Sequence, residues 1–325
     1  MRKMALKTFF AVMLLIVVFF ISGCGSSTDG NVKNAAYEII DDQGAIIQLE
    51  HKPERILTLA MGTDSIVLGI LPEEKLIAIN SLADDPVSSN IVDKANRITR
   101  KIKNPLKPDV VFIYNWGKAE MVDNLRELGI KVVVVKGPKS IADVKENVKL
   151  IAKTLGEEDK GNLMIAKMDD KLAEIKEKVD NIKPEERKKL VLISLMTSYG
   201  GKGCTFDDIC QYAGVINGVS DAGLHNGQFL TKEMLVAINP DLLIMPVYND
   251  HNTFDIEKYN KEFLDDPALQ TLNAVKEKRF FYPREGYIYN SSQDIVFGVQ
   301  EVARAAYGEL FSQPENCHIS VAEIN

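Results

Sequence analysis

Short continuous apolar runs alternate with amphipathic stretches along most of this chain, the rhythm of strands buried on both faces with helices packed over them. Runs at 56–59, 76–79, 110–114 and 131–135 read as strands in the first half, and 190–195, 242–246 and 279–282 in the second. Between them, 64–71, 118–128, 206–213, 232–238, 256–263 and 293–307 carry helical spacing. Thr63 is placed to cap the helix at 64–71, with Asp64 favourable at its positive end, and Ser291 or Ser292 to cap the one at 293–307. Ahead of these, 37–40 and 45–49 flank Asp41-Asp42-Gln43-Gly44 and predict a hairpin turning at glycine.

The pattern is stated twice. Pro105-Leu106-Lys107-Pro108-Asp109 leads into Val110-Val111-Phe112-Ile113, and Ala237-Ile238-Asn239-Pro240-Asp241 leads into Leu242-Leu243-Ile244-Met245. In each, a helix ends at a proline that cannot continue it, an Asp follows, and a buried strand begins. Two lobes of similar plan are the simplest reading, with a ligand expected between them.

From 162 to 183 there is no Gly or Pro, and Ile165, Met168, Leu172, Ile175, Val179 and Ile182 recur at spacings of three and four. That predicts one amphipathic helix of roughly 33 Å, long enough to cross between lobes, stopped by Pro184. The predicted fold is α/β: two Rossmann-like lobes, 37–155 and 185–309, joined by an interlobe helix within 156–184. Residues 310–325 give no clear element.

At the N-terminus, Arg2, Lys3 and Lys7 precede an uncharged apolar run from 9 to 21, then Ser22-Gly23-Cys24. The run is short for a bilayer-spanning helix, which needs roughly 20 apolar residues, and small residues follow at once, so 1–23 reads as an export signal. Ile21-Ser22-Gly23-Cys24 resembles the bacterial lipoprotein box, which implies that Cys24 becomes the lipid-bearing first residue. The polar stretch to residue 36 then serves as a leash. An uncleaved anchor, or an ordinary signal with a coincidental Cys, is the alternative.

The formal charge is −7 over 325 residues, and removing the three signal bases brings the remaining chain to about −10. An acidic body argues against nucleic acid as a partner. Cys204 and Cys210 are equally open to a disulfide or to two free thiols. Gly200-Gly201-Lys202-Gly203 lacks the spacing of a phosphate loop, no Gly-x-Ser-x-Gly elbow is present, and the chain reads as no enzyme. Four His, two of them away from the predicted loops, are a poor set for a bare metal ion, and Cys204, Cys210 and His225 form only a weak trio.

Taken in order, Asp42-Gln43-Gly44, Pro53-Glu54-Arg55-Ile56, both Pro-Asp strands, the long helix, and Asp207-Asp208-Ile209 with Ala213-Gly214-Val215-Ile216-Asn217 carry a resemblance. From about residue 37 to 308 the chain is similar to the solute-binding lipoproteins of ABC importers, in the helical-backbone class that takes iron(III)-siderophores, haem and cobalamin. The resemblance implies a monomer held at the outer face of the cell membrane by a lipid such as palmitate, with an ABC permease and its ATPase as partners. It implies a metal chelate as ligand, foremost a ferric siderophore, and no cofactor. It also assigns Glu233, eight residues before Asp241, to permease docking. The equivalent N-lobe position is Lys101, a departure; either the neighbouring acid Asp93 takes the role or the permease differs.

Ligand contacts are expected in loops that follow strands, because those carboxyl ends line the crevice of open α/β lobes. The candidates are Met61, Asn115, Trp116, Tyr199, Lys202, Tyr248, Arg284, Tyr287 and Tyr289. Trp116, the only Trp, reads as a pocket wall or as lobe core. Arg284 with Tyr287 and Tyr289 suits an anionic or oxygen-rich chelate; the alternative is an Arg284–Glu285 surface bridge with two half-buried tyrosines. Haem would need a ligating side chain, for which Tyr199, Tyr287 or Tyr289 could serve, whereas a siderophore brings its own iron donors. Cobalamin suits the same residues. Outside this class, a lipid-anchored adhesion or scaffold module without a small ligand remains the alternative.

Overall fold

The computed structural model describes residues 36–99, 107–249 and 252–324. Cys24, its leader, Lys101 and His251 lie outside them. Ten strands are labelled here in chain order. Tyr37–Ile40 (β1) and Ile46–Leu49 (β2) form the antiparallel hairpin, with Gly44 at a φ of 78°. Asp41 closes the turn by accepting from the Gln43 and Ala45 amides.

Two four-stranded parallel sheets follow. The first contains Ile56–Thr58 (β3), Leu76–Ala78 (β4), Val110–Tyr114 (β5) and Val132–Val135 (β6) in the order β4-β3-β5-β6. The second contains Lys189–Leu192 (β7), Ile216–Asn217 (β8), Leu242–Ile244 (β9) and Phe280–Phe281 (β10) in the order β10-β9-β7-β8. Read from β4 in the first sheet and from β8 in the second, both run second, first, third, fourth. The registers agree too: Ile56 pairs with Val110, and Leu190 with Leu242. The two-lobed plan expected from the repeated Pro-Asp phrases is therefore carried down to strand order.

Successive side chains on a strand face opposite sides of a sheet. Phe112 and Tyr114 of β5, with Leu190, Leu192 and Ile244 of the second sheet, belong to one large core, which also holds Met164, Met168, Leu172, Ile175 and Val179. Val111 and Ile113 belong to a smaller cluster on the outer face of the first sheet, and Val191, Leu243 and Met245 to another on the second. The two lobes thus share a continuous core through the long helix.

That helix spans Glu158–Val179, starting and ending four residues before the 162–183 expected. Gly161 is buried near Ala152 of the helix Ile141–Leu155, so a residue expected to precede the helix sits inside it at a close approach. At the other end, Lys183 is extended ahead of Pro184, as the residue before a proline must often be, and Ile182 is only half-buried.

Both expected caps differ from those observed. The helix Met61–Ile70 begins at Ala60, whose carbonyl accepts from both the Asp64 amide and the Thr63 hydroxyl. The final helix Ile295–Tyr307 has Asp294 at its N-cap, while Ser292 Oγ accepts from the Asp294 amide one step upstream. The segment after 310, unassigned by pattern, runs back to the first lobe: the Val321 amide donates to the Gly69 carbonyl at 2.7 Å. Asp294 holds this return, accepting from the Ile319 amide and from Asn90 Nδ2, with His318 Nδ1 at 2.7 Å. Lone hydrogen bonds leave no periodic signature, which is why the tail was illegible.

Candidate ligand cavity

All strands in each sheet run parallel, so their carboxyl ends gather on one side, and each sheet reverses its winding between its first and third strands. A cavity of about 330 Å³ lies there, with walls from both lobes. Met61 enters from the segment after β3, and Leu82 and Ser88 from the segment after β4. Ser194, Leu195 and Met196 follow β7, Pro246 and Tyr248 follow β9, and Glu285, Gly286 and Tyr289 follow β10. Gly286 allows the two backbones their close approach: a Cβ there would stand 3.0 Å from the Ser88 carbonyl oxygen, and one of the two would have to give by a few tenths of an ångström.

The walls are mainly apolar and aromatic. Of the polar atoms on these walls, Ser88 Oγ and Glu285 Oε2 are buried and without a hydrogen-bond partner. Burial first, and the charge of Asp85 second, push the Glu285 carboxyl up to about 8. Tyr289 donates its hydroxyl to Ser194 Oγ at 2.9 Å and packs its ring 5.3 Å from that of Tyr199.

Of the expected contacts, Met61, Tyr248 and Tyr289 are brought together on this cavity. Tyr199 stands behind Tyr289 with its hydroxyl 2.9 Å from Thr205 Oγ1, and burial raises its ionisation well above the usual range. Arg284 and Tyr287 line a neighbouring cavity of about 250 Å³. Arg284 does not bridge Glu285; its guanidinium donates to the Pro314 carbonyl and faces Glu315. Tyr287 is fully buried against the returning tail rather than half-buried, with the Cys317 amide donating to its hydroxyl. Lys202 is exposed beside His225, and Asn115 is engaged by Asp42 and the Gly137 amide.

Trp116 is 61% exposed, so it is not lobe core; it does not line this cavity and lies on Tyr114 with ring centroids 4.3 Å apart. Cys204 and Cys210 are buried, separate thiols, each raised by burial. Among the described residues no cluster of three or more His, Cys, Asp or Glu could hold a metal ion. Glu233 is exposed in the first turn of Lys232–Ile238, where its own amide and Thr231 hold its carboxyl below the ordinary range.

Ser88, Ser194 and Glu285 escaped the sequence reading. Ser194 was hidden because the apolar run 190–195 continues three residues past the end of β7. Ser88 sits in a Pro- and Ser-bearing loop with no strand directly before it. Glu285 follows β10, and its Oε2 is buried on a wall shared with Ser88 of the other lobe, a neighbour far away in sequence.

Residues 104–285, more than half of the chain, match the model of the periplasmic binding protein family, and the chain belongs to that family. It is 23% identical over 318 residues to an uncharacterised ABC transporter substrate-binding lipoprotein of Bacillus subtilis, YvrC, covering 92% of this chain and 97% of that one. It is 22% identical over 306 residues to the Fe(3+)-citrate-binding protein YfmC of the same species, covering 87% and 88%. The molybdate-bound structure of MolA from Haemophilus influenzae superposes with a TM-score of 0.69 at 17% identity, over 85% of this chain and 92% of that one.

Proposed function

We propose, from its membership of the periplasmic binding protein family, that the chain is the solute-binding component of an ABC importer and captures a metal chelate, foremost a ferric siderophore, for delivery to a permease. The observation that carries this reading is the cavity built by both lobes at the carboxyl ends of two sheets with the same strand order. Its volume falls at the small end of the range for ligand sites, about 300–1,000 Å³, and its apolar and aromatic walls suit a bulky ligand held by shape. The described residues gather no donor set for a bare ion, which favours a ligand that brings its own metal donors. No chemistry on the ligand is required of the protein.

One relative supports the ABC-importer setting by its name, as a substrate-binding lipoprotein, and another supports an iron chelate as cargo, as a binder of ferric citrate. In the same reading Cys24 carries the lipid at the outer face of the membrane and Glu233 faces the permease. The core shared between the lobes favours modest closure on binding, since a large hinge motion would have to repack it.

The test is a thermal-shift panel on protein lacking residues 1–23, using ferric siderophores, haem and cobalamin. A true ligand raises the unfolding temperature with concentration by mass action. Stabilisation by haem or cobalamin alone would move the ligand within the class. No saturable binding by any of them would favour an anchored adhesion or scaffold module instead.

A further inference from the structure

The charge of the cavity wall narrows the ligand within the function proposed above, on which this inference rests. No Lys or Arg among the described residues lines the cavity. The basic candidates nearest in sequence are turned elsewhere, Arg284 toward Pro314 and Glu315 and Lys202 to the exposed surface by His225. An anionic ligand would therefore enter an apolar cavity with no cation to meet it, beside a carboxyl. Burying a charge without a partner is among the most costly arrangements in a protein.

The unpartnered groups point the other way. Ser88 is 5% exposed, lines the cavity, and leaves its Oγ without a hydrogen bond, as Glu285 leaves its Oε2. Buried polar atoms are nearly always paired in folded proteins, so two orphans on one cavity wall mark where a ligand supplies the missing partner. Asp85 stands behind them, 1% exposed, accepting from the Val87 and Ser88 amides through Oδ1. Its negative charge disfavours the ionised form of Glu285. The rings of Tyr248 and Tyr289 complete a wall whose faces attract cations.

We propose that the cavity selects a chelate of positive net charge, one whose metal is neutralised by its own donors and which presents a protonated amine to Glu285 and Ser88. The amine gives one N–H to the Glu285 carboxylate and a second to Ser88 Oγ. Ionised Glu285 is the binding form, so a proton leaves the protein on binding. With the free carboxyl titrating at about 8, affinity rises with pH up to that region and then levels. Among the groups around it, Asp85 opposes ionisation, Tyr289 stays protonated there because burial raises it further, and the Arg284 guanidinium faces away.

The experiment uses protein lacking residues 1–23 and a matched pair: a ferric trihydroxamate with a free terminal amine, and the same chelate with that amine acetylated. A ferric tris-catecholate and ferric citrate supply the anionic comparison. Tryptophan quenching and calorimetry are expected to give the amine chelate at least tenfold tighter binding than the acetylated one at pH 8, with the anionic chelates weakest. Its affinity should rise from pH 6 to 8 while that of the acetylated chelate stays flat. Glu285→Gln keeps the shape and removes the charge, and should abolish both the preference and the pH dependence. Should that variant fail to fold, the matched pair on the unaltered protein still decides. Equal binding of the pair, or tightest binding by an anionic chelate, overturns the charge inference while leaving the proposed function standing. Binding of no chelate of any charge overturns both.

Discussion

Asp109 and Asp241 make the same clamp in the two sheets. Asp109 Oδ2 accepts from the Glu54 and Arg55 amides at 2.8 and 3.0 Å, and Asp241 Oδ2 accepts from the Lys189 amide at 2.9 Å. Each Asp amide in turn donates to the carbonyl of Arg55 or Lys189 at 2.8 Å. The acid of each Pro-Asp phrase thus starts the neighbouring first strand, β3 or β7, in register, and the repeated phrase has a structural meaning.

Replacing either acid should therefore cost stability without touching the cavity. Asp241→Ala is expected to lose about 1 to 2 kcal/mol, the worth of a charge-assisted hydrogen bond at a partly exposed position. Asp241→Asn, which keeps an acceptor, should lose less. Urea unfolding measures both; a loss below about 0.5 kcal/mol for the alanine variant would mean that the clamp contributes only geometry.

Asp64 gives a pH prediction. It is fully buried in the first turn of the Met61–Ile70 helix, near Thr58, and accepts from the Asn80 amide. Burial pushes its carboxyl up to about 8, against partial relief from Thr58 and Asn80. The folded form thus holds a proton that the unfolded chain releases near its ordinary value of 3.8, so stability from this group is full below about 4 and falls as pH rises toward 8. Asp64→Asn should gain on the unaltered protein across that window, with a slope on the order of 1 kcal/mol per pH unit. Paired unfolding curves at pH 5 and 7.5 check this, and parallel losses would show that Asp64 is ionised when folded.

Trp116 offers a clean optical reporter outside the cavity. Because its ring rests on Tyr114 while remaining mostly exposed, Trp116→Ala should cost about 1 kcal/mol or less, well short of the roughly 3 to 5 expected of a core aromatic. A coloured chelate in the cavity should still quench its emission saturably, and the alanine variant should bind within about threefold of the unaltered protein. Calorimetry on the variant provides the check. A tenfold loss would mean that the ligand reaches beyond the cavity onto this ring.

Glu233→Ala should leave chelate affinity nearly unchanged and reduce uptake in cells, because an exposed charge steers and seats a partner rather than filling a pocket. Transport assays beside binding titrations on the same variant separate the two effects. Equal uptake by both proteins would remove Glu233 from docking.

What the amino-acid order determined by itself is what short stretches determine locally. The helix Lys232–Ile238 and the strand Val110–Tyr114 fall where the pattern put them, because burial on one helical stripe or both strand faces writes itself into periodicity. The twofold plan was legible for the same reason, since a proline, an Asp and an apolar run recur as a local phrase. Tertiary structure decided the rest. Asp294 replaced two serines as the final cap, joining the first lobe to the returning tail through Asn90 and Ile319. Met61, Tyr248 and Tyr289 reached the cavity while Arg284 and Trp116, equally well placed in sequence, did not. Glu285 reached the cavity wall beside Ser88 of the other lobe, where residues 88–90 pack close to Gly286. Periodicity records whether a residue is buried within its own element; a cavity between lobes depends on how distant elements converge, and no local pattern encodes that.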